Sequence, residues 1–349
     1  KLTGLQSLRG IEPKPIDAIV PGDLFLVSKL EDLVLGDTVT ADTTPLEMPS
    51  IEFPPPSYAL AVTPAARGDE QKINQGLEKL AAEDPTFSVR RDAITGELVV
   101  SGTSPLHLEV QLGRLANRYG VHTEHHAPKI PYKETVTAPA DGHHRHKKQT
   151  GGRGQFGVCY IHVEPLPRSG GFEFVNKIVG GAIPKQWIPS VEKGIVQRMA
   201  RGVIAGYPMV DVRVTLYDGK FHDVDSSDMA FQMAGSKAIM SAFRNPKARP
   251  VLLEPIWTLE VVCPEENGGD VMGDVSRRRG KVLGMDTKGK KQIVRATVPF
   301  AELLDYAPAL DSMTGGRGSF TMAFANYDEL PSHLADKIIA ERKVEEEED

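Results

Sequence analysis

Three short stretches carry residue types that could do chemistry. The first is Thr150-Gly151-Gly152-Arg153-Gly154, which recurs unchanged at Thr314 to Gly318. A glycine-rich loop with an arginine suggests phosphate binding, because glycine lets backbone N–H groups approach an anion closely. It is not a nucleotide-hydrolysing loop. The pattern GxxxxGK[ST], whose lysine neutralises terminal phosphates and whose hydroxyl holds magnesium, occurs nowhere in the chain. Asn176-Lys177 also lacks the aspartate two residues on that would complete a guanine-reading NKxD motif. The second stretch, His222-Asp223-Val224-Asp225-Ser226-Ser227, has the materials of acid–base catalysis. Asp225 and Ser226 are explained as caps of the next helix, with Asp228 in its first turn. That leaves His222 and Asp223 exposed before the helix, with no nucleophile or metal set signalled nearby, so recognition fits better than autonomous hydrolysis. The third is His143, His144, His146 and His162 with Cys159. His144 and His146 share a strand face, but no acidic or Cys-x-x-Cys partner completes a metal site, and a basic strand is the better reading.

The two TGGRG copies sit in different local patterns. The one at Thr150 lies between two strand-like segments, so it is a hairpin tip, entered through the cation-rich HHRHKKQ. Arg145, Lys147, Lys148 and Arg153 beside flexible glycines suit phosphate contact, where charge supplies affinity without reading sequence. A solvated hairpin with no partner fits the same residues equally well. The copy at Thr314 lies between a helix and a strand, where Gly315 fits the left-handed residue that ends a helix. Two further basic patches lie at Arg277 to Lys281 and Lys288 to Lys291.

The net charge of −6 does not mark a nucleic-acid binder, but it is unevenly placed. The last nine residues, ERKVEEEED, carry −4 of it and read as a solvated, disordered tail. No run approaches the ~20 apolar residues of a membrane helix, and no signal-like segment opens the chain. Two distant cysteines, Cys159 and Cys263, suit a reducing compartment. The 349 residues predict two to four domains, and an opening on Lys1 suggests part of a longer protein.

The elements that must position these stretches fall into five regions. Residues 1–50 read as short strands, DAIVPGDLFLVS and LVLGDTVTA, the end of a small β-barrel. Prolines then mark a boundary. Residues 51–129 read as βαββαβ, a ferredoxin-like unit, with helices carrying Ile73, Leu77, Leu80 and Ala81, then Leu108, Leu112, Leu115 and Tyr119. Residues 253–330 repeat that order, and 331–349 form a helix with an acidic tail. Between them, 130–252 form a longer α/β region. Its expected parts are a long strand from Tyr132, a helix with Ile188, Val191, Ile195 and Met199 inward, and a strand alternating from Val210. A helix capped by Asp225 then carries Met229, Met233 and Met240. The fold class is thus α+β multidomain: two ferredoxin-like units flanking a longer α/β unit, preceded by the end of a β-barrel.

In these residues the chain resembles the C-terminal part of translation elongation factor G, from about residue 16 to 340. The resemblance rests on PGDLFLVSKLEDLVLGDTV, LAAEDPTFSV, KQTGGRGQFG, GGAIPKQWIPSVEKGI, AGYPMVDVRVTLYDGKFHDVDSSDMAF, KARPVLLEPI and PEENGGDVMGDVSRRRG, in that order. It implies the end of domain II, then domains III, IV and V. It also implies a domain before Lys1 that holds GTP and magnesium, with no cofactor in this chain. In such a protein domain IV is a protruding α/β unit of the ribosomal-protein type, and its tip enters the decoding region during translocation. Carried over, the RNA-contacting tip residues are Gln149, Thr150, Gly151, Gly152 and Arg153, with His222 and Asp223. Lys147, Lys148, Arg277, Arg278 and Arg279 are further candidates for ribosomal-RNA contact. The implied partners are the RNA of both ribosomal subunits, the tRNA–mRNA duplex, the stalk base and the chain's own GTPase domain, in the cytoplasm and without a membrane. GTSPLHL stands where the family commonly has GMGELHL, and the second TGGRG where it often has TKGRA. These departures suggest a divergent paralogue. Translocase, recycling factor and non-GTPase RNA-binding protein all remain open at this point.

Overall fold

The computed structural model describes the chain except residues 1–3, 11, 21, 29–32, 34, 40–47, 150–153 and 347–349. Near the start, β1 (Gln6–Arg9) and β2 (Glu12–Pro15) form a hairpin, and Leu26 bridges back to Gln6. The expected strand DAIVPGDLFLVS is otherwise absent among the described residues, and LVLGDTVTA lies partly outside them. Alternation makes a strand only where a neighbour takes up the backbone N–H and C=O groups. Leu24, 94% exposed, has not found such a place.

The second region folds as expected: β3 (Tyr58–Pro64), α1 (Glu70–Glu83), β4 (Ser88–Arg91), β5 (Leu98–Gly102), α2 (Pro105–Tyr119) and β6 (Thr123–His126). The sheet order β4-β5-β3-β6, antiparallel throughout, is ferredoxin-like. Helix α2 starts where Ser104 Oγ accepts the His107 N–H at 3.1 Å and ends at left-handed Gly120. His107 in turn holds the two helices together. Its Nδ1 accepts the Thr103 N–H, so Nε2–H donates to Asp84 Oδ2 at 2.9 Å, beside the Gln111 amide at 2.8 Å. Burial alone would raise the Asp84 pKa, but the hydroxyl and amide of Thr86 and the His107 ring outweigh it and hold it low.

The third unit comprises, after β7 (Lys133–Val136), β8 (Ala140–Lys148), β9 (Gln155–Pro165), β10 (Phe172–Asn176), α3 (Ile188–Arg201), β11 (Val212–Lys220) and α4 (Asp228–Arg244). Its sheet runs β10-β11-β9-β8, with β10 and β11 parallel across α3. Both helices pack on one sheet face, and two glycines let them touch. A Cβ on Gly194 would lie 2.0 Å from the Gln232 carbonyl oxygen, and one on Gly235 2.5 Å from that of Val191. Four expectations need correction here. The strand from Tyr132 is two strands in different sheets, because Thr137 and Ala138 turn to donate to the Ala248 carbonyl and Pro139 has no N–H to extend a ladder. Alternation begins at Val212, not Val210, since Asp211 has φ +59° and its carboxylate accepts the Gly171 N–H. The cap of α4 is Ser227, not Asp225. The buried stripe of α4 is Ala230, Phe231, Ala234, Ala238, Ile239, Ala242 and Phe243, not the methionines; Met229 is 58% exposed. Small residues win that face because β8 and α3 press so close.

The fourth unit repeats the ferredoxin-like order: β12 (Pro250–Pro264), α5 (Gly268–Arg277), β13 (Lys281–Lys288), β14 (Lys291–Pro299), α6 (Tyr306–Thr314) and β15 (Ser319–Glu329), with sheet order β13-β14-β12-β15. Helix α7 (Ser332–Glu346) packs Leu334, Ala335, Ile338 and Ile339 where Ile94, Tyr207 and Leu252 of the three units meet. It carries the expected disordered tail on as helix to Glu346.

The third unit enters through β7 and leaves through β12, and these two strands pair, Val136 opposite Pro250 and Lys133 opposite Leu253. At this neck Glu134, fully buried, accepts four backbone N–H groups. Oε2 takes Val203 at 2.6 Å and Ile204 at 2.9 Å; Oε1 takes Ala205 at 2.8 Å and Tyr207 at 3.1 Å. The Glu134 backbone also bonds to Pro208 and Val210.

Two predictions test these contacts. Glu134→Ala strands four buried donors, each costing about 1–3 kcal/mol. Amide exchange at Val203 to Tyr207 should accelerate at least about 100-fold; unchanged protection would refute the latch. Asp84, with its folded pKa lowered, contributes stability in full above the unfolded value of about 3.9 and loses it as pH falls through the folded value. Asp84→Asn should therefore lower the melting temperature at pH 7, and the gap from the native protein should narrow as pH falls below the unfolded value of about 3.9.

Candidate nucleic-acid interface

The far end of the third unit brings two sequence-predicted stretches together. The β8–β9 hairpin pairs as far as Lys148 with Gln155, and Gln149 is exposed just beyond. Thr150, Gly151, Gly152 and Arg153 lie outside the described residues. The start of the returning strand is tied to the His222 loop. The Gly154 N–H donates to Asp225 Oδ1 at 3.1 Å, and the Phe156 N–H to the Asp225 carbonyl at 2.9 Å. Ser226, 2% exposed, donates its hydroxyl to the Phe156 carbonyl and accepts the His222 N–H, both at 2.9 Å. The start of β9 and the His222 loop are thus one hydrogen-bonded body, with the His222 ring edge-on to Phe156.

His222 and Asp223 are both exposed. Nδ1 of His222 accepts the N–H groups of Val224 and Asp225 at 3.3 and 3.2 Å, so the outward Nε2 carries the proton of the neutral ring. The neighbouring carboxylate is Asp225, 3.5 Å from Nδ1, rather than Asp223. This ring is positioned to present a donor outward, not to be oriented as a base by Asp223.

A third loop at this end was missed in the sequence. After β10, Gly180 and Gly181 take φ of +67° and +74° and leave Val179 83% exposed. The loop is held by Ile183, fully buried, and by Trp187, which stacks on Phe231 at 5.2 Å and lies 5.8 Å from Phe221. The double glycine was the available signal.

Along β8, Lys147, Lys148 and Arg145 are exposed. The histidines diverge, which explains why they form no set. His143 stacks on Tyr160, His146 bonds to Gln155, and His162 bonds to Asp141. Burial first, then Lys237 and the neighbouring histidines, lower the His144 pKa. Burial pushes the Cys159 thiol up to about 12. Among the described residues no cluster of three or more His, Cys, Asp or Glu could hold a metal ion.

The arginine run of the fourth unit separates into unlike residues. Arg277 is exposed, at 76%. Arg278 bonds to Asp274 at 2.7 Å and lies over the Tyr306 ring. Arg279, at φ +57°, grips the buried Glu254 with two nitrogens at 2.6 and 2.8 Å and reaches Glu302 at 2.9 Å. Arg278 and Arg279 are thus paired with carboxylates inside the protein, which leaves Arg277 the most exposed cation of the run. The second TGGRG is structural too. Gly315 closes α6 at φ +61°, Thr314 Oγ1 accepts the Gly318 N–H, and Arg317 pairs with Glu266.

Comparison with known proteins agrees with this architecture. Three family models match in succession: Elongation Factor G, domain III, over residues 53–127; Elongation factor G, domain IV, over 128–247; and Elongation factor G C-terminus over 251–338. An elongation factor G-like protein of Thermotoga maritima is 47% identical over 338 residues, 97% of this chain and 49% of that protein. Elongation factor G of Aquifex pyrophilus is 47% identical over 94% of this chain and 46% of its own length. A crystal structure from Thermus thermophilus superposes with a TM-score of 0.82 at 38% identity, covering 97% of this chain and 51% of that one. The chain belongs to the elongation factor G family and corresponds to its C-terminal part, spanning about half the length of the relatives it matches. No helix among the described residues is long and apolar enough to cross a membrane.

The lacing of the two loops yields a prediction. Ser226→Ala removes a buried hydroxyl that both donates and accepts, at a cost of about 1–3 kcal/mol. Exchange of the His222 and Phe156 amides should accelerate together; if only one responds, the loops are not held as a unit.

Proposed function

We infer that this chain is the ribosome-binding part of a translational GTPase that promotes movement of tRNA and mRNA. The observation that carries this reading is the end of the third unit. The start of β9 and the exposed His222 loop, from distant parts of the sequence, are knitted there by Ser226 and Asp225, beside exposed Arg145, Lys147 and Lys148. Such a surface can hold an RNA backbone by charge while His222 donates from Nε2, and its rigidity lets it act as a wedge. Gln149 to Arg153 with His222 and Asp223 are the proposed contacts in the decoding region, against the tRNA–mRNA duplex. Arg277 is the residue of the arginine run left to reach ribosomal RNA near the stalk base. GTP and magnesium belong, on this reading, to a domain of the parent protein preceding this chain. The residues here offer them no P-loop and are not expected to hydrolyse GTP alone. The setting is the cytoplasm.

A recycling role is the second reading, favoured by GTSPLHL at the start of α2, where the family resemblance leads one to expect GMGELHL. One assay separates the two. The full-length protein in reconstituted translation is scored for translocation and for subunit splitting. His222→Ala is expected to slow single-round translocation at least about tenfold while ribosome-stimulated GTP hydrolysis continues. Unaltered translocation would refute the tip assignment, and splitting without translocation would establish the recycling factor.

A further inference from the structure

Helices α3 and α4 cover one face of the third sheet, and the side chains on its other face form ordered rows. One row is aromatic: His143, Tyr160 and Tyr217, on three neighbouring strands. The His143 and Tyr160 rings stack at 5.4 Å with 12° between planes, and Tyr217 lies 6.3 Å from Tyr160. A β-bulge between Leu216 and Asp218 turns Tyr217 outward, 41% exposed. The next row toward the tip is cationic. Arg145 and Lys220 both stand opposite Val158 in register, one from each side, and both are exposed. Arg145 lies over the Phe156 ring at 5.7 Å, and among the described residues neither cation is engaged in an ion pair. Two residues of strand separate the rows, about 7 Å. The charge is polarised along the same line, because the carboxylates of Asp141 and Asp218 lie near Tyr217. A phosphate is repelled from the aromatic row and attracted to the cationic one, whereas a base has a π-face for the rings.

We propose that this sheet face binds an unpaired ribonucleotide segment, a base stacking on Tyr217 or His143 with its flanking phosphates over Arg145 and Lys220. The site lies one step back along the sheet from the tip loops and shares only Arg145 with their cationic edge, and it rests on the reading of the chain as RNA-facing. Stacking on aromatic rings beside a cationic track is how sheet surfaces hold single strands without reading sequence.

The test is a titration of this chain with a short unstructured oligoribonucleotide at low salt, monitored by fluorescence anisotropy. Binding should weaken about tenfold in Tyr217→Ala and be retained in Tyr217→Phe. Arg145→Gln with Lys220→Gln should reduce the slope of log affinity against log salt by about 1.4. No binding at low salt, or equal binding by Tyr217→Ala, overturns the proposal. All three substituted positions are at the surface, and an unchanged melting temperature in each variant separates lost binding from lost fold. The readout does not depend on translocation. A parent protein inert on ribosomes would leave the platform standing, and a flat titration would leave the tip reading standing.

Discussion

The arrangement of this molecule depends on how one buried carboxylate is satisfied. Glu134 sits on β7, a strand hydrogen-bonded into the sheet of the fourth unit, and its oxygens accept amides from the segment after α3, in the third. A carboxylate with four N–H donors resembles an anion in a backbone nest, except that here the anion is supplied by the protein. It fixes residues 203–207 without secondary structure and ties them to the neighbouring sheet. Because the strands that enter and leave the third unit also pair, its base has two kinds of restraint, a ladder and a carboxylate. A hinge at this point would have to break both.

From that base the order reaches the far end through the sheet. Gly142, Gly194 and Gly235 allow α4 to lie so close to β8 and α3 that side chains could not intervene. The start of α4 is thereby fixed against the hairpin, and Ser226 and Asp225, just ahead of it, fasten the His222 loop to Gly154 and Phe156. Rigid helix packing is thus converted into rigid loops, where function usually resides.

Much of this was legible in the sequence where one interaction decides an element. Ser104-Pro105 and Gly120 bound α2 because caps act locally, and the Ile73, Leu77, Leu80 stripe has one solution in a small core. The methionines of α4 misled because hydrophobic spacing does not say which of two apolar faces is buried; glycine and alanine opposite decided it. The strand from Tyr132 was misjudged because sheet membership is non-local, and Pro139 alone hinted at the break. At the site, His222 and Asp223 were recognised as exposed, but their tie to the hairpin runs between residues about seventy apart and has no sequence signature. The Arg277 to Arg279 run showed the opposite failure. Composition counts charges, but only the fold shows that Glu254, Asp274 and Glu302 have already claimed two of them.

The repeated pentapeptide makes the same point most sharply. At Thr314 the threonine hydroxyl, the two left-handed glycines and the arginine are all used internally, the last against Glu266. The sequence of that copy is therefore the chemistry of a helix end. At Thr150 the flanking residues are instead a solvent-facing run of cations and a glycine whose amide is held by Asp225. Identical residues acquire different roles because a helix terminus consumes hydrogen-bonding groups, whereas the described residues flanking the first copy are a strand of exposed cations and one tethered glycine. Shared sequence is therefore no evidence for a shared task.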